Sequence, residues 1–121
     1  MPHLIIEYAA PLAADEKVLS LLNAVHEAAL ATALFPADHI RTRAIPVAFY
    51  RTGDASNPDS ATFIHAQLRI KEGRSEAQKK ALSCAVLAAI KRQQWPAQVI
   101  TVEVVDMDTA SYAKSSAQVI T

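Results

Sequence analysis

Residues 61–75 read ATFIHAQLRIKEGRS, and this stretch decides the fold. Apolar and polar side chains alternate through residues 61–71, which is typical of a β-strand with one buried face. The two faces are Ile64, Ala66, Leu68 and Ile70 on one side and His65, Gln67, Arg69 and Lys71 on the other. Ser75 and Gln78 then match the S-x-x-Q capping box that begins a helix. The stretch therefore predicts a strand followed directly by a helix.

The predicted helix runs to about Gln93, and residues 98–105 (QVITVEVV) predict a further strand. The inward side chains of the helix are expected to be Ala81, Leu82, Ala85, Val86, Ala89 and Ile90. Cys84, the single cysteine of the chain, is expected on the same apolar face as a small core residue. A single cysteine excludes an intrachain disulfide.

The first half of the chain shows a similar pattern. Residues 2–8 (PHLIIEY) predict a strand, and Asp15 is the expected N-cap of a helix that must end before Pro36. Residues 40–51 (IRTRAIPVAFYR) predict a second strand. Pro46 cannot donate a ladder hydrogen bond, so this strand is expected at an edge of the sheet or with a break.

The two halves align at an offset of 60 residues, which predicts a duplication. The shared aromatic-Pro-Ala sequence, at residues 35–37 and 95–97, is its most specific feature. The expected pseudo-repeats are about 2–51 and 61–106, joined by a turn-rich connection and followed by an extended tail at 107–121. Two generic β-α-β units with coincidental spacing are the alternative.

Two β-α-β units predict an α+β fold: one four-stranded sheet, parallel within each unit, with two helices on one face. A chain of 121 residues is the size of one ordinary domain. The other sheet face is expected to carry Ile5, Ala44, Phe63, Val99 and Val105. That face is too apolar to remain in water, so the sequence predicts oligomerisation through it.

Composition narrows the possible functions. Apolar residues make up 51% and charged residues 20%, and the 12 basic side chains balance the 12 acidic ones. A net charge of zero gives no reason to expect nucleic acid or a membrane as a partner. No apolar run approaches the roughly 20 residues that span a bilayer, and no secretory signal is recognisable. We therefore expect a cytoplasmic protein.

Three blocks of sequence resemble the 5-carboxymethyl-2-hydroxymuconate isomerase family of the tautomerase superfamily. They are residues 2–8, residues 35–44 (FPADHIRTRA) and residues 63–75 (FIHAQLRIKEGRS). The resemblance covers most of residues 2–106 with matching spacing. It implies one tautomerase-like domain over residues 1–121, built as a duplicated β-α-β unit and assembled as a homotrimer.

The resemblance also implies a reaction. These enzymes move a proton so that a 2-hydroxydienoate becomes its 2-oxo-enoate isomer, in the homoprotocatechuate route of aromatic catabolism, without metal or organic cofactor. Their amino-terminal proline is the catalytic base. In this chain the residue is Pro2, and its nitrogen is a basic secondary amine only after Met1 has been removed.

Arginines are the expected partners of a small anionic substrate with several carboxylates. Arg41 matches the first arginine of the family's I-R-x-R segment, and Arg74 matches the arginine before the second helix. The resemblance assigns both to substrate binding and to stabilising the developing enolate. Arg43 lies two residues from Arg41 on the same face, so it either assists in substrate binding or pairs with Glu103. A solvated surface charge is the alternative for each arginine.

The histidines carry a weaker signal. His3 and His65 are expected near the pocket in hydrogen-bonded roles, with a catalytic role as the alternative. No spacing of His, Cys, Asp and Glu predicts a metal site. Arg69 and Lys71 are expected to be structural or interfacial.

Two other functions remain open at this stage. The family often has Gly-x-Gly-Arg before the second helix, where this chain has Lys71-Glu72-Gly73-Arg74. That departure, together with few aromatics in the middle connection, allows a related keto-enol tautomerase or a dehalogenase-like hydrolase with another substrate. A non-catalytic trimeric binding protein on the same scaffold is the third possibility.

Overall fold

Two strand–helix–strand units make up the fold in this computed structural model, which describes residues 1–53 and 62–117. In chain order the elements are β1 (His3–Ala9), α1 (Asp15–Ala31), β2 (Arg41–Val47), β3 (Phe63–Lys71), α2 (Glu76–Arg92) and β4 (Val99–Met107). Most of the turn-rich connection predicted at residues 52–60 lies outside the described residues, as do residues 118–121. Neither helix in the described ranges is long and apolar enough to cross a membrane.

The four strands form one mixed sheet in the order β2-β1-β3-β4. Pairing is parallel within each unit and antiparallel between β1 and β3. The predicted α+β fold class is thereby confirmed, and β2 lies at an edge of the sheet, as Pro46 indicated. Because of this pairing, β1 and β2 begin at the end of the sheet where β3 and β4 finish. We call this end of the sheet the proline end, because Pro2 directly precedes β1 there.

Burial in β3 follows the alternation of its sequence. Ile64, Ala66, Leu68 and Ile70 are fully buried beneath the helices, whereas their neighbours in the strand are only half-buried or exposed. The same face of the sheet continues into β1 through Leu4 and Ile6. The largest fully buried side chains are Leu4, Ile6, Leu21, Val25, Ile64, Leu68, Ile70, Leu82, Val86 and Ile90. Both units therefore contribute to one core between the sheet and the helices.

The capping box predicted for the second helix is present. The Gln78 amide N–H donates to Ser75 Oγ at 3.1 Å, and the Ser75 amide N–H donates to Gln78 Oε1 at 2.9 Å. The prediction for the first helix was wrong by one residue. Ala14 is the N-cap of α1 and makes no side-chain cap, and Asp15 is the first helical residue. At that position the carboxylate still faces the positive end of the helix dipole.

We expect Ser75→Ala to lower the free energy of unfolding by about 1 kcal/mol, because it removes the hydroxyl that caps α2. Urea denaturation followed by circular dichroism measures the change. Ser83→Ala is the matched control, since the Ser83 hydroxyl only donates back to the Lys80 carbonyl at 3.1 Å within the same helix. Equal losses in the two variants would contradict the capping role.

Both helices end in the same way. Ala33 and Gln94 each adopt a positive φ of 58°, and this left-handed conformation stops each helix one or two residues before an aromatic residue. Trp95 is buried and packs edge-on against Tyr8, with the ring centroids 5.4 Å apart. Its counterpart Phe35 remains half-buried at the opposite end of the sheet. The two aromatic-Pro-Ala segments thus lie at opposite ends of the layer of helices.

The expected burial of Cys84 and Ala81 was wrong, since both are exposed. The buried residues of α2 are Leu82, Val86, Ala89 and Ile90. Two residues along a helix rotate the side chain by about 200°, so Cys84 points away from the face that Leu82 occupies. Apolar residues thus cover more of the surface of α2 than the part that contacts the sheet.

The open face of the sheet differs from the prediction at one residue. Ala44 pairs with Ile6 in the β1–β2 register and packs on the core side. The other four residues, Ile5, Phe63, Val99 and Val105, alternate onto the open face. Ile45 and Val99, which are 42% and 45% exposed, lie away from the proline end. Cationic side chains such as Arg43 lie near it, so the open face has an apolar half and a cationic half.

Candidate active site

Five segments of the chain meet at the proline end. β1 and β2 begin there, β3 and β4 finish there, and α2 begins there after the turn that contains Arg74. Pro2, Arg41 and Arg74, which the sequence predicted as site residues from distant segments, consequently lie at the same end of the sheet.

Pro2 is buried at the start of β1. Its carbonyl oxygen accepts a hydrogen bond from the Arg41 backbone N–H at 3.0 Å, and this bond fixes the start of β1 against the start of β2. Met1 precedes Pro2 and is half-buried. The Pro2 nitrogen is therefore part of a peptide bond and has no basic lone pair while Met1 is present.

The amino terminus borders a cavity of about 250 Å³. The residues around this cavity are Met1, Lys71, Met107, Thr109, Tyr112 and Lys114. Burial lowers the pKa of the Met1 amine below its usual value, and the positive charges of Lys114, Lys71 and Arg41 lower it further. These surroundings therefore favour the unprotonated form of the Met1 amine.

Arg41 contributes its charge to this region, although its side chain turns back on its own connection. Its Nη1 donates to the Asp38 carbonyl at 2.7 Å and to the Ile40 carbonyl at 3.4 Å. Within the described residues it has no carboxylate partner. A guanidinium bound only to backbone carbonyls retains its full positive charge for an anionic ligand.

Arg74 is held differently. Its Nη2 donates to the Leu34 carbonyl at 2.6 Å, and its guanidinium carbon lies 5.5 Å from the centre of the Phe35 ring. These contacts join the start of α2 to the connection after α1. Arg74 does not line the cavity at Met1, so the structure brings its segment to the site but directs its side chain to the connection.

Arg43 contacts His3 instead of the carboxylate suggested by the sequence. Its Nη1 lies 3.3 Å from His3 Nδ1, and His3 Nε2 lies 2.9 Å from the Tyr112 hydroxyl. The suggested pairing with Glu103 was wrong. Glu103 Oε2 is 2.7 Å from His65 Nε2 on the neighbouring strand. The pKa of His3 is lowered, first by burial and then by the surrounding positive charges, beginning with Arg43.

His65 has both ring nitrogens occupied. Its Nδ1 lies 2.6 Å from Thr101 Oγ1, opposite the contact to Glu103. This arrangement agrees with the hydrogen-bonded role expected for His65, but its expected position near the pocket was wrong, because His65 lies opposite Glu7, away from the proline end. Within the part of the chain that the structure describes, no group of three or more His, Cys, Asp and Glu side chains is placed to hold a metal ion.

Five residues around the Met1 cavity were not identified as site residues from the sequence: Lys71, Met107, Thr109, Tyr112 and Lys114. Lys71 was expected to be structural or interfacial, and Tyr112 and Lys114 belong to the tail, which has no periodic pattern. The tail approaches the proline end through tertiary contacts, including the Thr109 N–H donating to Glu72 Oε1 at 3.3 Å. The only local feature of the sequence that could have identified one of them is the positive charge of Lys71, close to Gly73 and Arg74.

A four-stranded mixed sheet of two β-α-β units, with two helices on one face, is the fold of the tautomerases. A model of the 5-carboxymethyl-2-hydroxymuconate isomerase family matches residues 2–116. The chain therefore belongs to that family and is an isomerase of the tautomerase type. Family membership favours an enzyme over the non-catalytic binding protein considered from the sequence. A search of curated protein sequences gave no significant match.

Solved structures agree with this assignment. The chain is similar to a 5-carboxymethyl-2-hydroxymuconate isomerase from Deinococcus radiodurans R1, at 29% identity and a TM-score of 0.81, covering 96% of this chain and 90% of that one. A 5-carboxymethyl-2-hydroxymuconate delta-isomerase matches at 24% identity and a TM-score of 0.80, with 96% and 89% coverage. A fused 4-OT asymmetric trimer shares the fold at 22% identity and a TM-score of 0.71, with 93% and 91% coverage.

Proposed function

We propose that the protein converts a 2-hydroxymuconate-type dienol acid, such as 5-carboxymethyl-2-hydroxymuconate, to its 2-oxo-enoate isomer, with Pro2 as the general base. The setting would be cytoplasmic degradation of aromatic acids by the homoprotocatechuate route. The observation that carries the proposal is the position of Pro2, buried where five segments converge and next to a cavity with two lysines.

The proposed reaction needs one group that accepts and returns a proton. After removal of Met1, the Pro2 amine takes the proton of the 2-hydroxyl, and the oxygen becomes the carbonyl. The double bonds shift along the chain, and the same amine delivers a proton to the distal carbon. One O–H bond is lost and one C–H bond is formed, so no cofactor is needed to balance the step.

The charges around the amino terminus support this role. An α-amino group has a reference pKa of about 7.7–8.0. The pKa of the Met1 amine is lowered by burial and then by the positive charges of Lys114, Lys71 and Arg41, and this amine lies one residue from the Pro2 nitrogen. The same surroundings would lower the pKa of a free Pro2 amine, which is the direction that a general base working near neutral pH requires. The same charges would stabilise the developing enolate.

The three arginines are proposed to bind the carboxylates of the substrate. To bind the substrate, Arg41 and Arg74 would each give up a hydrogen bond to a backbone carbonyl and donate to a substrate carboxylate instead. A carboxylate forms a stronger hydrogen bond with a guanidinium than a carbonyl does. The N-terminus of α2 next to Arg74 would add free backbone N–H groups that favour an anion. Arg43 would reach the substrate from the open face.

Enzymatic ketonisation tests the proposal and separates it from a related tautomerase. Purified protein with a free Pro2 should accelerate the loss of dienol absorbance of 5-carboxymethyl-2-hydroxymuconate, and should act on phenylpyruvate enol much more slowly. A preference for phenylpyruvate would favour the related keto-enol tautomerase. No rate above buffer with either compound would contradict both.

We expect Arg41→Ala to raise KM for the polycarboxylate by about tenfold or more, with a smaller effect on kcat, because a charged hydrogen bond to the substrate is lost. Arg92→Ala, at the exposed C-terminus of α2, is the matched control and should leave KM unchanged. An equal loss with a monocarboxylate enol would count against carboxylate recognition by Arg41.

We also propose that the whole chain forms one tautomerase-like domain and assembles as a homotrimer through the apolar half of the open face. Ile45 and Val99 on this half, together with the 95% exposed Phe49 two residues after β2, support a protein contact there. Analytical ultracentrifugation should give three times the mass of one chain. Ile45→Asp should dissociate the trimer, and Leu19→Asp, on an exposed position of α1, should not. A monomeric wild-type protein would contradict the assembly.

A further inference from the structure

A second and larger cavity lies at the proline end, on the open face of the sheet. Its volume is about 580 Å³. Its walls include His3, Arg43, Arg69, Asp106, Asp108 and Tyr112. Three neighbouring strands supply the first three of these side chains, and the β1–β3 register places His3 directly opposite Arg69. The chain after β4 supplies Tyr112, so this cavity forms only where the tail passes the sheet.

The charges of the second cavity favour an anion. Neither Arg43 nor Arg69 has a carboxylate partner within 4 Å among the described residues. Asp106 is already paired, because its Oδ2 lies 3.1 Å from Lys79 Nζ. Two guanidinium groups therefore face a single unpaired carboxylate, that of Asp108. The carboxylate of a ligand would neutralise the remaining positive charge.

A chain of hydrogen bonds determines which group of this cavity donates to a ligand. A guanidinium can only donate, so His3 Nδ1, at 3.3 Å from Arg43 Nη1, must accept. The proton of the neutral imidazole is then on Nε2, which donates to the Tyr112 oxygen at 2.9 Å. Because the Tyr112 oxygen accepts from His3, its own O–H proton is free to donate elsewhere.

We propose that Tyr112 is a substrate-binding residue whose hydroxyl donates to a carboxylate in the second cavity, and that His3 is a positioning residue that orients this hydroxyl. Tyr112 also lines the cavity at Met1, so one side chain borders both spaces. A dicarboxylate could then occupy both, with one end near the amine and the other between Arg43 and Arg69. The identity of this ligand as the substrate rests on the proposed function; the carboxylate site itself does not.

The first test is calorimetric titration with cis,cis-muconate, an unreactive dicarboxylate, in wild type and Tyr112→Phe. The substitution keeps the ring and its edge-on contact with His3, where the centroids are 6.1 Å apart, and removes only the hydroxyl. We expect Kd to rise by about tenfold or more, the effect of losing a hydrogen bond to a charged group. Tyr50→Phe is the matched control, because Tyr50 packs on Phe63 at the other end of the sheet.

The second test separates positioning from structure. His3→Gln retains an N–H that can donate to the Tyr112 oxygen, and it should bind muconate nearly as well as wild type. His3→Ala should weaken binding by no more than Tyr112→Phe does, and the double variant His3→Ala/Tyr112→Phe should be no weaker than Tyr112→Phe alone. In ketonisation assays Tyr112→Phe should raise KM more than it lowers kcat, as expected for a group that binds a substrate carboxylate in the ground state and the transition state alike.

These experiments distinguish a failure of the carboxylate site from a failure of the proposed reaction. Wild type that does not bind muconate, or Tyr112→Phe that binds it equally well, would overturn this proposal. Additive losses in the double variant would overturn the positioning role of His3. Binding that depends on Tyr112 in a protein without ketonisation activity would support the carboxylate site and contradict the proposed reaction instead.

Discussion

Pro2→Ala is expected to lower kcat for ketonisation by about 100-fold or more, which is the usual contribution of a positioned general base. Removal of Met1 from this variant still leaves an α-amino group. That amine is primary, however, and lacks the ring that fixes the direction of the lone pair. Steady-state kinetics with 5-carboxymethyl-2-hydroxymuconate measure the effect, on samples whose N-terminus has been established by mass.

Pro11→Ala is the matched control for this variant. Pro11 is exposed in the single helical turn after β1, at the end of the sheet opposite Pro2. Its substitution should leave kcat unchanged. The oligomeric state and the melting temperature should be the same in both variants. An unchanged rate in Pro2→Ala would remove Pro2 from the mechanism, whatever the other residues do.

Leu68→Ala should have the largest effect on stability. Leu68 is fully buried in β3, between Leu4 of β1 and Val104 of β4. Truncation to alanine removes apolar contacts and leaves a cavity that the surrounding strands cannot fill. We expect the free energy of unfolding to fall by about 2–5 kcal/mol. Denaturation at a fixed protein concentration measures the loss, because assembly would otherwise change the apparent stability.

The control for the core variant is Leu19→Ala. Leu19 carries the same side chain on α1 but is 61% exposed, so its truncation should change the free energy of unfolding by less than about 0.5 kcal/mol. Comparable losses in the two variants would mean that β3 is not at the centre of the core.

Much of the fold could be predicted because its signals are local. The alternation from Ile64 to Ile70 identified a strand and its buried face, and Ser75 with Gln78 identified the start of α2. Pro46 identified an edge strand. The errors concern orientation. Cys84 and Ala44 were placed on the wrong faces, because an apolar composition does not show which side of an element contacts its neighbour.

The site was less predictable than the fold. The resemblance indicated Pro2, Arg41 and Arg74, and strand pairing brings their segments together, but the backbone carbonyls that hold the two guanidinium groups carry no signal in the sequence. Tyr112 and Lys114 lie near the amino terminus only because the tail passes from the end of β4 to the start of β1. No local pattern reports such a non-local contact.

The free amine of Pro2 is the central claim, and intact mass combined with activity tests it most directly. Protein carrying Met1 and protein lacking it would be separated, identified by mass and assayed side by side with 5-carboxymethyl-2-hydroxymuconate. We predict that only the form lacking Met1 ketonises the substrate, and that the specific activity of mixtures follows its fraction. Equal activity in the form that retains Met1 would contradict the proposed mechanism, because its Pro2 nitrogen cannot accept a proton.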